Sequence, residues 1–303
     1  MLEQTLSKLP NLMNLKLQFG NKVNFDAPTR GQGFGLMQAS DATSLASALQ
    51  SIPHLCSFSL TNSQMTDDLM RLFVNELKAK EERNDAGHSL SSIRDTLVEL
   101  DLSFNKLTTD GFRQIILYFL DGDNRGVQAA DNDDHENDNL THSILSTLKV
   151  AGNKIRAEGA RTLGRILKTN VSLETIDLRM NLLNDEGGKL VMNGLQHNHT
   201  LRRLNMSCNF LSSFTADALC RVFEMNGLSK SGNQLQHMDV SSNDFKAPDL
   251  NKFSQGVDHT YHLITFDLRG SAFENSDSIR MTGDALERIK HKLKSNASRM
   301  LNP

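Results

Sequence analysis

The sequence predicts an α/β solenoid of about eight repeats, horseshoe-shaped, with parallel strands on the concave face and helices on the convex face. Two observations predict it. The pattern LxxLxLxxNxL recurs along the chain, and after each copy the hydrophobic period lengthens from two to that of a helix. Clear copies are "LVELDLSFNKL" from Leu97, "LSTLKVAGNKI" from Leu145, "LETIDLRMNLL" from Leu173, "LRRLNMSCNFL" from Leu201 and "LQHMDVSSNDF" from Leu235. Leu145, Leu173 and Leu201 are spaced by 28 residues, as are Leu235 and Leu263, and weaker copies begin at Leu12, Leu55 and Leu263.

Each half of the repeat follows from its spacing. Leu100 and Leu102 alternate with Glu99, Asp101 and Ser103, as in a short strand with one buried face. In 108–120, 156–170 and 184–198 the apolar residues fall at helical spacing instead, for example Ala160, Leu163 and Leu167. One strand–turn–helix unit cannot bury its apolar face alone, so neighbouring units must stack.

Composition narrows the function. A formal charge of −3, from 33 basic and 36 acidic residues, gives no global attraction to nucleic acid or anionic lipid. The three cysteines, Cys56, Cys208 and Cys220, form no CxxC pair and no even framework, which points to a reducing compartment. The N-terminus lacks a basic n-region and an apolar h-region, and no window approaches the roughly 18 apolar residues of a membrane span. A cytoplasmic or cytoskeletal location is expected, and the sequons at Asn198 and Asn205 read as chance.

A single domain is expected over 1–303. Its loop insertions are 18–40, 78–96 and 121–143, and a capping helix and tail occupy 276–303. "KAKEERNDAGHSLSS" is charged and polar after a helix ending near Leu77, and 121–143 is too poor in aliphatics to form a core. In the last segment Leu286, Ile289 and Leu293 form an apolar side to close the final repeat, with Arg288, Lys290, Lys292, Lys294 and Arg299 in water. Arg161, Arg165 and Lys168 share a second basic helix face.

Candidate chemistry fails on detail. Counting an EF-hand loop from Asp121 gives glycine at the sixth position, but Arg125 at the fifth and Asn132 at the twelfth, so the segment reads as a solvated acidic loop. His197 and His199 have no further local ligands for a metal. "GQGFG" (31–35) lacks a dinucleotide fingerprint's last glycine, and "EGGKL" has Leu183 and Leu190 where a P-loop needs Gly and Ser or Thr. No nucleophile–base set carries a local signature. The expectation is a chain that is not an enzyme and takes no cofactor or metal.

Two columns remain. Asn105, Asn153, Asn181, Asn209 and Asn243 recur where the chain turns out of each strand, with Ser63 and Ser271 toward the ends. A buried amide there both donates to and accepts from backbone groups that have no sheet partner, so this column reads as scaffold. The outward strand positions hold Lys16, Ser59, Asp101, Lys149, Asp177, Asn205, Asp239 and Asp267, flanked in the C-terminal half by Arg179, Arg203 and Arg269. Such a mixed charge column suits recognition of a protein surface or an extended helix, although polar side chains on a solvated sheet face would look the same.

The motif is that of the leucine-rich repeat, and the "xxxGxxxLxxxL" helical halves at Gly159–Leu167 and Gly187–Leu195 resemble the ribonuclease-inhibitor type. From about Leu97 to Leu293, "LETIDLRMNLLNDEGGKL", "LRRLNMSCNFL" and "LITFDLRGSAFENSD" resemble the last repeats of the T-complex-associated testis-expressed family, subunit 5 of the dynein regulatory complex. The resemblance implies a non-catalytic subunit of the nexin link, which joins doublet microtubules in the axoneme of a cilium or flagellum and regulates its dyneins. It implies other subunits of that complex and axonemal proteins as partners, with tubulin reached indirectly, and neither nucleic acid nor membrane. The alternative is a Ran-type GTPase-activating leucine-rich-repeat protein; that family carries a long acidic segment after its repeats, where this chain has a basic helix.

Overall fold

The computed structural model describes residues 5–6, 8–9, 11–19, 37–84, 92–121, 143–227, 234–271 and 279–301. The chain divides into two compact units, Met1–Thr147 and Leu148–Pro303. The division follows on 121–143, where the repeat period is most strongly broken.

The first unit contains β1 (Asn14–Leu17), α1 (Ala39–Leu49), β2 (Ser57–Leu60), α2 (Asp67–Asn84), a 3₁₀ turn (Ile93–Asp95), β3 (Glu99–Asp101) and α3 (Thr109–Phe119). Its strands are parallel and in register, with Leu15, Phe58 and Leu100 side by side. The strand β4 (Thr147–Lys149) begins at the last residue of the first unit, and the second unit goes on with α4 (Ala157–Leu167), β5 (Thr175–Asp177), α5 (Asn184–Leu195), β6 (Arg203–Asn205), α6 (Ser213–Gly227), β7 (His237–Asp239), α7 (Ala247–Val257), β8 (Thr265–Asp267) and α8 (Ile279–Leu301). Strands β5 to β8 pair in parallel, each with the next in sequence.

The helix α2 reaches Asn84, seven residues past the end expected near Leu77. The run Lys78–Glu82 is charged but composed of strong helix formers, so polarity there marks a solvated helix and not a loop. Similarly, Ala39 and Ser40 open α1 rather than close a loop. Of the expected insertions, residues 20–36, 85–91 and 122–142 lie outside the described residues.

Strand alternation sends Leu148, Ile176, Leu204 and Met238 into the second unit's core, each no more than 2% exposed. Burying each such side chain contributes about 1.5–3 kcal/mol. At the C-terminal end the core is aromatic: Phe253 meets Phe245 and Phe266 edge-to-face at 5.2 and 5.3 Å. The helix α8 covers it with Ala285 and Ile289, both 3% exposed.

Three polar devices fix the stacking. The asparagine column forms a ladder: Asn181 Nδ2 donates to Leu178 O at 2.9 Å in its own repeat and to Val150 O at 3.0 Å in the preceding one. Its Oδ1 accepts from the Ile155 N–H at 3.0 Å. Asn209 and Asn243 repeat the arrangement, and Asn105 makes it within the first unit. The second device is an acidic residue near a helix start that caps the next helix, as Asp67 does for Thr108 and Asp185 for Ser212. Asp185 accepts from the Ser212 and Thr215 N–H groups at 2.8 and 3.1 Å and from both hydroxyls. Burial works against its charge, yet these bonds outweigh it and hold the carboxyl below its ordinary range. The third is a second asparagine site after the helices: Asn198, 1% exposed, donates to Leu167 O at 2.8 Å and accepts from the Leu201 N–H at 2.8 Å. A buried amide so engaged is closed to glycosylation.

Helix spacing is set by glycine. A Cβ on Gly164 would lie 2.2 Å from Leu190 O, and one on Gly194 would lie 2.3 Å from Gly164 O. The backbones of α4 and α5 therefore touch.

Asn181→Ala strands the Ile155 N–H, while the Val150 carbonyl keeps its bond from Asn153 Nδ2 at 3.1 Å, and lowers unfolding free energy by about 1–3 kcal/mol for the buried group left unpaired. Gly194→Ala forces the two helices apart and lowers it by about 1–3 kcal/mol. Urea unfolding followed by circular dichroism measures both; an unchanged midpoint for either variant contradicts the assignment.

Candidate functional site

The outward strand column of the second unit is continuous from β5 to β8: Asp177, Asn205, Asp239 and Asp267 sit beside one another in register. Lys149 on β4 holds the same position in its own strand. Neighbouring strands in a sheet lie about 4.8 Å apart, so unpaired carboxylates at this spacing repel. Each carboxylate of the column is met by a donor. Arg179 Nε approaches Asp177 Oδ2 at 3.4 Å, Asn205 Nδ2 donates to Asp239 Oδ2 at 3.1 Å, and Arg269 grips Asp267 through Nε at 3.0 Å and Nη2 at 2.5 Å.

These residues also hold the backbone. Asp177 Oδ1 accepts from the Arg179 N–H at 3.1 Å, Asn205 Oδ1 from Ser207 at 2.9 Å, Asp239 Oδ1 from Ser241 at 2.9 Å and Asp267 Oδ1 from Arg269 at 3.0 Å. In the first unit Asp101 Oδ1 does the same for Ser103 at 3.0 Å. A side chain accepting from the amide two residues on is the turn favoured by Asp and Asn. Every acidic member of the recognition column is thus part of the strand exit, a role the motif did not disclose.

The exit has a further regularity. The residue before each column asparagine or serine is left-handed: Asn62, Phe104, Gly152, Met180, Cys208, Ser242 and Gly270 have φ between 49° and 71°. Only some of these are residue types that adopt the conformation readily, so composition gave no signal.

A family model described as leucine-rich repeat matches residues 96–113, 169–192 and 197–212, which cover strands and asparagines of three of the turns just described. These three segments are similar to leucine-rich repeats. Over 86 residues the chain is 30% identical to leucine-rich repeat-containing protein 45 of Gallus gallus, a match covering 28% of this chain and 13% of that protein. Solved structures similar to the repeats include the actin-binding site 2 of leiomodin-1 (15% identity, TM-score 0.35, 50% of this chain and 86% of that one). The tropomodulin C-terminal domain of Caenorhabditis elegans matches at 13% identity and TM-score 0.41, over 64% of this chain and 92% of that one. An internalin of Listeria monocytogenes matches at 12% identity and TM-score 0.42, over 91% and 60%.

Other sequence candidates sit apart from the strand column of the leucine-rich repeats. His197 and His199 flank the buried Asn198, and among the described residues no group of three or more His, Cys, Asp or Glu is placed to hold a metal. Residues 122–138 of the acidic loop lie outside the described residues. Gly188 of "EGGKL" packs within 2.5 Å, as a Cβ, of Thr215 Oγ1, so this glycine serves helix contact. Burial, then Glu224 and Asp217, push the Cys220 thiol up to about 12, away from a nucleophile's range. On the basic helix face Arg161 pairs with Glu186 at 3.1 Å, and on α8 Arg288 pairs with Asp258 at 3.1 Å. No described helix is long and apolar enough to cross a membrane.

The site's electrostatics favour fixed charge over proton transfer. The Arg269 guanidinium beside Asp267 holds its carboxyl below the ordinary range against a smaller cost of burial. Burial and the neighbouring Arg203 hold the His237 imidazole below its ordinary range. Because Asp267 is depressed in the folded state, its contribution to stability is present above the unfolded-state value and is lost as pH falls through the folded one. Carbon-detected NMR titration will place Asp267 below the column's unfolded reference, and Arg269→Ala will move it up; an unmoved midpoint refutes the pairing.

Proposed function

We propose that the outward strand face of the second unit is a protein-recognition surface, and that the chain is a non-catalytic subunit of the nexin–dynein regulatory complex in the axoneme. In this reading it helps link doublet microtubules and regulate dynein-driven motility through contacts with other subunits of the complex. The observation that carries the recognition half is the column Asp177–Asn205–Asp239–Asp267, in which each polar group is fixed by the strand turn, with Arg179 and Arg269 paired to its aspartates and Arg203 exposed beside it. Pre-organised charge lowers the ordering cost of binding and selects partners by complementarity. The axonemal half rests on the resemblance carried by "LETIDLRMNLLNDEGGKL" and the repeats after it. The chain spans 13% of the length of its curated relative, so no partner is taken from that protein.

Arg179→Glu with Arg203→Glu reverses two charges without touching a turn acceptor. A tagged wild-type chain is expected to enter cilia and crosslink, in isolated axonemes, to subunits of the regulatory complex, and the double variant to lose those crosslinks by on the order of tenfold or more. Exclusion of the wild type from cilia, or acceleration of GTP hydrolysis by Ran in its presence, sinks the axonemal reading; unchanged crosslinks in the double variant sink the strand face.

A further inference from the structure

We propose that the strand-to-helix rim of the second unit docks an acidic amphipathic helix of a partner protein, seated on Met180, Phe210 and Phe214 between Lys154 and Lys189. Met180, Phe210 and Phe214 are 49%, 56% and 62% exposed, large apolar groups in water on consecutive repeats. Two of them stand on strained backbone: φ is 56° at Met180 and 59° at Phe210. Glycine serves the equivalent of Met180 at Gly152 and Gly270, with φ of 61° and 71°, so the turn itself asks for no side chain there. Large apolar side chains exposed at a turn that does not require them form a surface open to a partner.

The rim's chemistry defines its occupant. The N–H groups of Met180 and Cys208 already donate to Ser207 O and Ser241 O at 2.9 and 3.1 Å, so a partner cannot add here as a strand and must bind through side chains. Adjacent strands are about 4.8 Å apart, so a helix lying across the rim spans both the repeat of Met180 and that of Phe210 and Phe214. The surrounding charge is positive. Lys189 Nζ lies 4.7 Å from the Phe214 ring centroid, and Lys154 is exposed and makes no ion pair among the described residues. Asp185 caps Ser212 and Thr215, Glu186 holds Arg161 at 3.1 Å, and Glu158 stands exposed in the repeat of Lys154. Asp244, one repeat beyond Phe210, bounds the cationic stretch. The helix that fits therefore has leucine-like residues along one stripe and carboxylates beside it.

The test uses the full chain and two labelled synthetic amphipathic helices, one of Leu and Glu and one of Leu and Lys, read by fluorescence anisotropy. The acidic helix is expected to bind and the basic one not, with Phe210→Ser and Met180→Gly each weakening binding by on the order of tenfold or more. Met180→Gly is expected to keep or raise the melting temperature, since glycine relieves the left-handed strain, which separates lost docking from lost folding. Equal binding of both peptides, or wild-type affinity in Phe210→Ser, overturns the proposal. So does a concentration-dependent dimer that Phe210→Ser abolishes, or anionic-vesicle binding through Phe210 in the absence of peptide binding. Because Arg179 and Arg203 take no part, failure of the strand-face reading leaves this one standing.

Discussion

The structure depends on one constraint: each time the chain leaves a strand it must turn sharply, and the backbone groups freed in the turn must be paired out of water. The asparagine ladder satisfies that constraint. A single amide donates to carbonyls of two repeats and accepts from an amide of the preceding one, as Asn181 does with Leu178, Val150 and Ile155. Because each rung binds the repeat before it, turn formation and repeat stacking are one event. The left-handed residue ahead of each asparagine follows from the same geometry, since it is the backbone rotation that swings the amide inward.

The outward face inherits its rigidity from this exit. Asp177, Asn205, Asp239 and Asp267 each spend one oxygen on the amide two residues on, so their other atoms stand at fixed heights above the sheet. The column would repel itself were its carboxylates bare, and the donors that relieve it come from the residue two positions later or from the next strand. The strand exit and the outward face therefore share atoms. A substitution at the aspartates disturbs both, while the arginine side chains at 179, 203 and 269 can be changed with the turn's acceptors left intact.

Much of this was legible in the sequence, and the rest was hidden for physical reasons. The period-two leucines located every strand, and the asparagines located every turn in which they stand, because burial and the need for a two-way hydrogen-bonding side chain restrict residue choice severely. The second role of the aspartates was hidden, since any polar residue is compatible with an outward position and only the bond to the following amide distinguishes it. The left-handed column was hidden because Phe104, Met180, Cys208 and Ser242 are not residues that announce it. Polarity misread the end of α2, which is helical by propensity through Asn84.

A stack of repeats must also stop, and the second unit shows how. Between ordinary repeats, Asn198 reaches back to carbonyls at the end of the preceding helix, Leu167 O and Asn170 O at 2.8 and 3.2 Å. After β8 no further repeat supplies such a group among the described residues. The helix α8 supplies it instead: Asn296, fully buried, donates to Leu263 O at 3.0 Å and to Thr260 Oγ1 at 3.3 Å. Its Oδ1, which at Asn198 accepts from following amides, has no partner here among the described residues. The cap thus imitates the donating half of the next repeat and omits the accepting half, because the chain that would use it has become a helix with its own amides satisfied. Together with Ala285 and Ile289 over the aromatic core, α8 covers the repeat of β8 with side chains alone and leaves Arg269 on its strand face exposed.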